Sequence, residues 1–299
     1  MTNVKQYYIA TAADEKYYVP MYVMLFSLFE NNKNINLHVA ILYKSLSNNH
    51  KNDIESLAAH YNNSIKWLCI NRDETTTFYV SEYITEASYY RLYLPELLPQ
   101  QVEMVLYLDS DIIVNDSILS LLEITLNDVP LAAVKEVKPF KPERLGIYAP
   151  YDYFNAGVLC VNLALWRKNN YAATLKNNIK NNPLKYPMHD QDLLNEFFHK
   201  NVSYIHPNWN HQTALYGSEV AYVENRYGIA AADIFYKPAI IHFTGWLKPW
   251  AYMSTHPLKH LFIKYLRQTP YADFEERGTP ILWIKKIVSR LKHKIKSLL

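Results

Sequence analysis

Apolar and polar residues alternate along the first half of the chain in a pattern that predicts strands separated by helices. An apolar strand is predicted at residues 7–10 and an apolar helix at residues 19–29. Residues 37–42 and 64–70 are two further candidate strands, and residues 49–61 between them place apolar side chains at helical spacing. Strands that alternate with helices indicate an α/β fold built on a single, mostly parallel, doubly wound sheet.

The middle of the chain is predicted to contain a helix, a buried strand and a loop. A helix is predicted around residues 88–94, and the continuous apolar run at residues 104–108 is typical of a strand buried on both faces. Ligands of such sheets bind at the carboxyl ends of the strands. Residues 130–150 hold several prolines and charged residues, which predicts an irregular loop over the sheet face that could cover a ligand.

Composition places the chain among ordinary globular proteins. It has 299 residues, 49% apolar and 20% charged, which excludes a wholly disordered chain. Its two cysteines, Cys69 and Cys160, both lie in apolar runs, where buried thiols of a reducing compartment are expected. No apolar stretch reaches the roughly 18 residues that a membrane span needs, and no signal peptide is recognisable. We therefore expect a cytoplasmic protein.

The basic charge is concentrated at the C-terminal end. The formal net charge is +3, but residues 280–299 hold six basic and no acidic residues, which leaves 25 basic against 28 acidic residues elsewhere. At helical spacing these basic residues face away from an apolar stripe, with Trp283 near the boundary. This pattern predicts a basic amphipathic helix on an anionic membrane surface; a terminal helix packed on the protein body is the alternative. The slightly acidic remainder argues against nucleic-acid binding.

Two acidic residues, Asp109 and Asp111, follow the buried apolar run directly. Residues i and i+2 of an extended segment share a face, so both carboxylates can converge on one cation. Oxygen ligands suit a hard divalent ion, which commonly bridges protein carboxylates to substrate phosphates. The apolar continuation at residues 112–114 excludes an EF-hand, and the sequence context of a phosphatase nucleophile is absent. A pair of strand-end turn residues is the alternative.

A second candidate group follows another apolar run, at residues 240–250. His242 could supply a nitrogen ligand, which would favour Mn²⁺ over Mg²⁺. Gly245 allows a ligand to approach the backbone closely, and Lys248 offers a point charge for a phosphate. A strand-end histidine with a structural role is the alternative.

Two more polar segments lie between these groups, at residues 153–159 and 189–195. Asp190 can cap a helix with an apolar face, and Asp192 would favour the positive end of that helix. A contact of Asp190 with a ligand is the other interpretation. The two roles are compatible, because a capped helix start is a rigid platform for a polar contact.

Together these residues resemble glycosyltransferase family 8, most closely the bacterial lipooligosaccharide galactosyl- and glucosyltransferases, with glycogenin as a distant relative. The resemblance covers about residues 7–250, and the order and spacing of its blocks make it specific. In chain order the blocks are Ala12-Ala13-Asp14, Arg91, Leu106-Tyr107-Leu108-Asp109-Ser110-Asp111, Tyr153-Phe154-Asn155-Ala156-Gly157, Asp190-Gln191-Asp192 and His242-Phe243-Thr244-Gly245-Trp246-Leu247-Lys248-Pro249-Trp250. The bacterial members also have a basic membrane-attachment tail.

The resemblance implies a GT-A fold with a Rossmann-like nucleotide-binding half, a UDP-sugar donor, Mn²⁺ or alternatively Mg²⁺, and retention of anomeric configuration. By position, the residues that resemble the metal ligands are Asp109, Asp111 and His242. The residues that match contacts to the nucleotide are Ala12, Asp14, Tyr17, Ser110, Gly245 and Lys248, with Tyr17 stacking on the base. Those that match contacts to the donor sugar are Arg91, Asn155, Asp190 and Gln191, and Ala156 is also expected to bind the UDP-sugar. Tyr153 and the 130–150 loop are expected to face the acceptor.

The residues expected to act in catalysis are Arg91, Asp190, Gln191 and Lys248. A double displacement needs a carboxylate nucleophile, and the resemblance places the amide of Gln191 in that area. We therefore expect transfer on the same face of the sugar. The expected catalytic domain spans residues 1–250, with a nucleotide-binding half to about residue 115 and an acceptor-side half from 116. A C-terminal helical region, 251–299, attaches the protein to the inner face of the cytoplasmic membrane through the helix at 280–299.

The function expected from the sequence is therefore a retaining transfer of galactose or glucose from a UDP-sugar to a lipooligosaccharide core or another surface glycan. A non-catalytic protein that binds nucleotide sugars or glycans on the same fold is the main alternative, and it would bind UDP without consuming UDP-sugar. A metal-dependent phosphatase is a third, and it would release phosphate without transferring sugar.

Overall fold

The architecture is a large central sheet with a small second sheet beside it, in a computed structural model that describes residues 5–12, 14–70, 86–182, 184–245 and 248–274. The strands of the central sheet are β1 (Tyr7–Ala12), β2 (Leu37–Tyr43), β3 (Ser64–Cys69), β4 (Met104–Leu108), β6 (Leu131–Lys135), β7 (Phe154–Asn162) and β8 (Ser203–Tyr204). Their spatial order is β3-β2-β1-β4-β7-β6-β8. The second sheet has the order β5-β10-β9, with β5 (Ile112–Val114), β9 (His211–Gln212) and β10 (Ile240–His242).

The central sheet is mostly parallel, as the sequence predicted. β1, β2, β3 and β4 run parallel to one another, and β6 runs parallel to β8. Among the described strands of this sheet, β7 is the one that runs antiparallel to its neighbours, β4 and β6. The carboxyl ends of β1 and β4 therefore meet at one edge, together with the start of β7.

Helices cover both faces of the central sheet. The helices are α1 (Tyr18–Glu30), α2 (Asn48–His60), α3 (Leu94–Leu97), α4 (Leu119–Leu122), α5 (Leu163–Lys168), α6 (Tyr171–Asn181), α7 (His189–Phe198), α8 (Val220–Tyr227), α9 (Ala231–Phe235) and α10 (Lys259–Leu266). Short 3-10 segments are Glu15–Tyr17, Glu86–Tyr93, Pro142–Leu145, Pro207–Trp209 and Thr213–Gly217.

Two large apolar clusters hold these layers together. One packs α1, α2 and α10 against one face of the central sheet, and it also includes the small sheet. The other packs α5, α6, α7 and the segment Glu86–Tyr93 against the opposite face. Helix α1 is buried on nearly all sides because the sheet and α10 both cover it, which explains why its sequence is almost entirely apolar.

Most elements predicted from the sequence are confirmed within one or two residues. The helix predicted around 88–94 is instead the 3-10 segment Glu86–Tyr93 followed by α3. The irregular loop predicted at 130–150 is wrong in its first part, because strand β6 is buried there between β7 and β8. Cys160 is buried as expected, whereas Cys69, on the edge strand β3, is exposed.

The basic helix predicted at residues 280–299 lies outside the described residues. Within the part of the chain that the structure describes, the helices are too short or too polar to cross a lipid bilayer.

Candidate active site

The two acidic residues after β4 lie where the central sheet meets the small one. The strand ends at Leu108, and its pairing with β7 continues one residue further, since the N–H of Asp109 donates to the carbonyl of Gly157 at 2.9 Å. The chain then turns and enters β5 at Ile112. The side chains of Asp109 and Asp111 are 27% and 12% exposed. Both carboxylates are therefore fixed by strand pairing at the edge of a cavity.

The small sheet places His242 beside these carboxylates. His242 ends β10 and pairs with Ile112 of β5, and the next amide, of Phe243, donates to the carbonyl of Asp111 at 3.1 Å. Its Nε2 atom lies 3.2 Å from Asp111 Oδ1 and 3.8 Å from Asp109 Oδ2. The three candidate ligand atoms lie within 4.8 Å of one another. Two carboxylates and one imidazole form a donor set that fits Mn²⁺ and similar divalent ions.

Gly157 makes the approach of His242 to Asp109 possible. A Cβ atom at this position would lie 2.1 Å from Cε1 of His242 and 2.8 Å from Oδ2 of Asp109. Both distances are shorter than van der Waals contact, so a larger residue would push the imidazole or the carboxylate aside. The glycine of the Asn155-Ala156-Gly157 segment thus shapes the group from the opposite strand, β7.

Lys248 neutralises part of the charge of this group. Its ammonium donates to Asp111 Oδ2 and, at 2.9 Å, to the carbonyl of Phe243. Burial alone would raise the pKa of the Asp111 carboxyl, but opposing effects, of which the charge of Lys248 is the largest, hold that pKa well below its usual range. Asp111 is therefore ionised and available to a cation at neutral pH.

Arg91 forms the opposite wall of the cavity. It projects from the segment Glu86–Tyr93 and is only 6% exposed. One guanidinium nitrogen donates to Asp109 Oδ1 at 2.9 Å, another donates to the carbonyl of Ala156, and Nε lies 3.0 Å from Asp190 Oδ2. The guanidinium carbon lies 4.1 Å from the centre of the Tyr107 ring. Nε also donates to the carbonyl of Ser88 at 3.0 Å. Arg91 is thus locked in place by two carboxylates, two carbonyls and an aromatic face.

Asp190 is buried in the first turn of α7 and faces Arg91. The predicted capping role is wrong, since Met188 occupies the cap position and Asp192 accepts the Met188 N–H at 2.8 Å. Burial raises the pKa of Asp190 to about 6, an effect that Arg91 opposes and Asp109 reinforces. The position of Asp190 agrees with the alternative interpretation, in which it contacts a ligand.

The cavity also holds the carboxylate of Glu136, which was not predicted from the sequence and which Gln191 and Asn155 contact. Glu136, just after β6, accepts from Asn155 Nδ2 at 2.8 Å and lies 3.3 Å from Gln191 Nε2. Burial raises the pKa of Glu136, although its hydrogen bond from Asn155 opposes that shift. The sequence carries a signal, because an acidic residue again follows an apolar run, but the prolines after Glu136 predict a loop instead.

The side chains predicted to bind a base lie at the outer end of the cavity. Asp14 accepts the backbone N–H of Tyr17 at 3.0 Å, which fixes the turn after β1. The Tyr17 ring packs edge-on against Trp250, with ring centres 5.8 Å apart. Trp250 in turn packs against Phe262 of α10. The segment after β10 therefore supports a ring that could stack on a ligand.

The predicted site residues line one cavity of about 800 Å³, within the usual range of roughly 300–1,000 Å³ for small-molecule sites. Every residue of the predicted site contributes to its wall: Ala12, Asp14, Tyr17, Arg91, Asp109, Ser110, Asp111, Asn155, Ala156, Asp190, Gln191, His242, Gly245 and Lys248. Lining residues with no role predicted from the sequence include Ser88, Glu136, Met188 and Thr244. Lys138 and Phe140 also line the cavity and belong to the 130–150 segment that the sequence predicts to cover a ligand. Tyr153, expected to face the acceptor, is instead buried, and its hydroxyl donates to Asp192 at 2.6 Å.

The sequence of this chain is similar to those of known proteins over most of its length. The model of the family "Glycosyl transferase family 8" matches residues 8–254. A curated relative from Bacillus subtilis (strain 168), General stress protein A, is 25% identical over 92% of this chain and 97% of its own length. The lipopolysaccharide 1,2-glucosyltransferase of Escherichia coli (strain K12) is 27% identical over 95% of this chain and 84% of its own length.

A solved structure shares the fold. The galactosyltransferase LgtC, in complex with donor and acceptor sugar analogs, superposes with a TM-score of 0.78 over 93% of this chain and 99% of that chain, at 23% identity. The superposition shows that the mixed sheet described above is a GT-A fold.

Proposed function

The chain belongs to glycosyl transferase family 8, and from that premise we propose that it transfers a hexose, galactose or glucose, from a UDP-sugar to a saccharide acceptor with retention of configuration. The named relatives support the choice of substrates, since one is a lipopolysaccharide glucosyltransferase and another a galactosyltransferase. The acceptor is accordingly a lipooligosaccharide or lipopolysaccharide core, or another surface glycan.

The observation that carries this proposal is the group formed by Asp109, Asp111 and His242 beside Lys248. Its acidic and imidazole atoms lie within 4.8 Å of one another, and Lys248 contributes a positive charge at the same point. A Mn²⁺ ion bound there would neutralise the diphosphate and favour departure of UDP, and Mg²⁺ is the alternative ion. Lys248 and the backbone at Gly245 would contact the same diphosphate, which would be electrostatic stabilisation of the leaving group.

The donor sugar would lie between the diphosphate site and the wall formed by Arg91, Asp190 and Gln191. Arg91 and Asp190 form a buried ion pair, and Gln191 is held by the Ala156 N–H, which donates to its Oε1 at 2.9 Å. Fixed polar groups of this kind orient sugar hydroxyls without rearranging during the reaction. Tyr17 would stack on the uracil and Asp14 would accept from it.

The reaction is a same-face transfer. The bond between the anomeric carbon and the phosphate oxygen breaks with its electron pair going to UDP. The acceptor oxygen bonds to the same face of that carbon, and its proton moves to the departing phosphate oxygen. An amide at Gln191 is a poor nucleophile, which disfavours a covalent intermediate. Isolation of a glycosyl adduct on Asp190, Gln191 or Glu136 by mass spectrometry would overturn this mechanism.

The test of the proposed function is turnover of a panel of UDP-sugars in the presence of Mn²⁺. We expect release of UDP from UDP-galactose or UDP-glucose, and loss of this activity by about a hundredfold or more in Asp109→Asn, because one ligand to the cation is removed. Asp128→Asn, a change of an exposed carboxylate, should leave the rate unaltered. Full activity of Asp109→Asn, or of the wild type in excess chelator, would refute the assignment. UDP binding without consumption of any UDP-sugar would favour the non-catalytic alternative.

Attachment to the membrane belongs to the same proposal and rests on the charge pattern of residues 280–299. We propose that this segment binds anionic lipid at the inner face of the cytoplasmic membrane, where a lipid-linked acceptor would be available. Replacing its six basic residues by Gln should abolish co-sedimentation with anionic vesicles but leave UDP-sugar turnover intact. Unchanged co-sedimentation would exclude the proposed attachment.

A further inference from the structure

A line of hydrogen-bonded amides runs from His242 through Asn210 to Asn155 in the cavity wall. Asn210 is fully buried between the segment Pro207–Trp209 and β9. Its Oδ1 atom lies 3.0 Å from His242 Nδ1, and its Nδ2 atom donates to Asn155 Oδ1 at 2.8 Å. Asn155 continues the line, since its own Nδ2 donates to Glu136 at 2.8 Å.

A backbone amide fixes which atoms donate and which accept along this line. The N–H of Gly157 can only donate, and it donates to Asn155 Oδ1 at 2.9 Å. The atom of Asn155 at this point is therefore the oxygen, and the atom of Asn210 that faces it must be the NH₂ group. It follows that Asn210 presents its oxygen to His242, so Nδ1 of the imidazole must carry the proton.

The other imidazole nitrogen, Nε2, carries no proton when the ring is neutral. With the proton on Nδ1, a neutral His242 presents the electron pair of Nε2 toward Asp111 Oδ1 and Asp109 Oδ2, 3.2 and 3.8 Å away. An electron pair beside two carboxylates is unfavourable by itself and becomes favourable with a cation between them. The proton is thus held on the nitrogen that faces the protein, and the free nitrogen faces the candidate ion.

We propose that Asn210 is a positioning residue: it holds His242 as the Nδ1–H tautomer, with Nε2 ready for a metal ion, and ties it through Asn155 to the wall expected to contact the donor sugar. The inference deepens the proposed function and rests on it for the role of the ion. Partners of this kind, which orient a ligand through its second nitrogen, typically change metal affinity or activity by about 10–100-fold when removed.

The first test needs no metal, donor or turnover, so its outcome is independent of the proposed transferase activity. Histidine-selective ¹⁵N NMR of the full chain, at a pH well above the ordinary histidine pKa, reports the tautomer of each ring. The His242 signal is assigned by its loss in His242→Gln. We expect the proton of wild-type His242 on Nδ1. A wild-type ring that lacks a proton on Nδ1 would overturn the proposal without any variant.

Substitutions of Asn210 then test its role. In Asn210→Ala we expect the His242 tautomer to become mixed or to reverse, and Mn²⁺ affinity, measured by calorimetry, to fall about 10–100-fold. Asn210→Asp keeps an oxygen opposite Nδ1 but loses the NH₂ group that donates to Asn155, so it should retain the wild-type tautomer. Asn208→Ala changes a neighbouring amide that bonds to Ala239 and should behave as the wild type.

Two outcomes would contradict the role of Asn210. One is Asn210→Ala with the wild-type tautomer and undiminished Mn²⁺ affinity. The other is Asn210→Asp with a reversed tautomer despite a native circular dichroism spectrum. If Asn210→Ala does not fold, the comparison of the wild type with Asn210→Asp still decides the question.

Discussion

At the scale of single residues, the position of Gly157 leaves no room for a larger side chain. Gly157 donates its N–H to Asn155 and leaves the space that His242 and Asp109 occupy. Because the obstacle at Gly157 would be an imidazole held by Asn210, the imidazole has little freedom to move away. The glycine is therefore required by the geometry of the candidate metal group rather than by a turn.

Gly157→Ala should weaken Mn²⁺ binding by at least about tenfold, because the added methyl group displaces His242 or Asp109. Isothermal calorimetry with Mn²⁺ measures this change. Gly217→Ala is the matched control, since a methyl group there would meet no atom within 4 Å. Wild-type Mn²⁺ affinity in a folded Gly157→Ala protein would contradict the described geometry.

A second residue-scale prediction concerns pH. Burial raises the pKa of Asp190 from an ordinary value of 3.8 to about 6, so between these values the folded state binds more protons than the unfolded state. Asp190 therefore lowers stability as pH rises. From pH 4.5 to 7.5 its contribution to the free energy of unfolding should fall by about 2 kcal/mol.

Urea unfolding of the wild type and Asp190→Asn, both in chelator, measures this contribution. We expect the wild type to lose about 2 kcal/mol more than Asp190→Asn over this pH interval. Equal pH dependence of the two proteins would show that Asp190 has an ordinary pKa in the folded state.

At the scale of elements, the second sheet determines where the imidazole lies. Strand β10 pairs antiparallel with β5, and the register places His242 opposite Ile112, one residue after Asp111. The chain then continues to Trp250, which packs between Tyr17 and α10. One segment thus supplies the candidate metal ligand, the candidate phosphate contact Lys248 and the support for the predicted base-stacking ring.

Trp250→Ala should weaken UDP binding in the presence of Mn²⁺ by about tenfold, because Tyr17 loses the ring that orients it. Mn²⁺ binding alone should be unchanged, and Trp250→Phe should restore most of the UDP affinity. Calorimetric titrations of the three proteins with UDP and with Mn²⁺ separate these effects. Unchanged UDP affinity in Trp250→Ala would show that Tyr17 does not depend on Trp250.

The sequence predicts those parts of the site that depend on local features. Strand ends are local features, so Asp109 and Asp111 could be recognised from the apolar run before them. Strand β9 has two residues and β5 has three, too few for any hydrophobic period to show. The sequence around Asn210 therefore does not indicate its position. Its role depends on contacts with residues 55 and 32 positions away. Glu136 was missed for a different reason, a proline-rich context that hid a short strand.

At the scale of the whole molecule, the candidate site depends on both halves of the chain. Asp109 and Asp111 follow a central strand, whereas His242 and Lys248 come from a segment more than 100 residues later. The family match ends at residue 254, and α10 lies beyond it while packing on α1 in the same apolar cluster. The described part of the C-terminal region therefore supports the catalytic core directly.

The central claim is that Asp109, Asp111 and His242 share one divalent ion that holds the diphosphate of a UDP-sugar. A crystal structure of the full chain with Mn²⁺ and UDP, recorded with anomalous scattering from manganese, tests it most directly. We predict one anomalous peak bonded to both carboxylates, to Nε2 of His242 and to the diphosphate. UDP bound in the cavity with no manganese peak between these three side chains would contradict it.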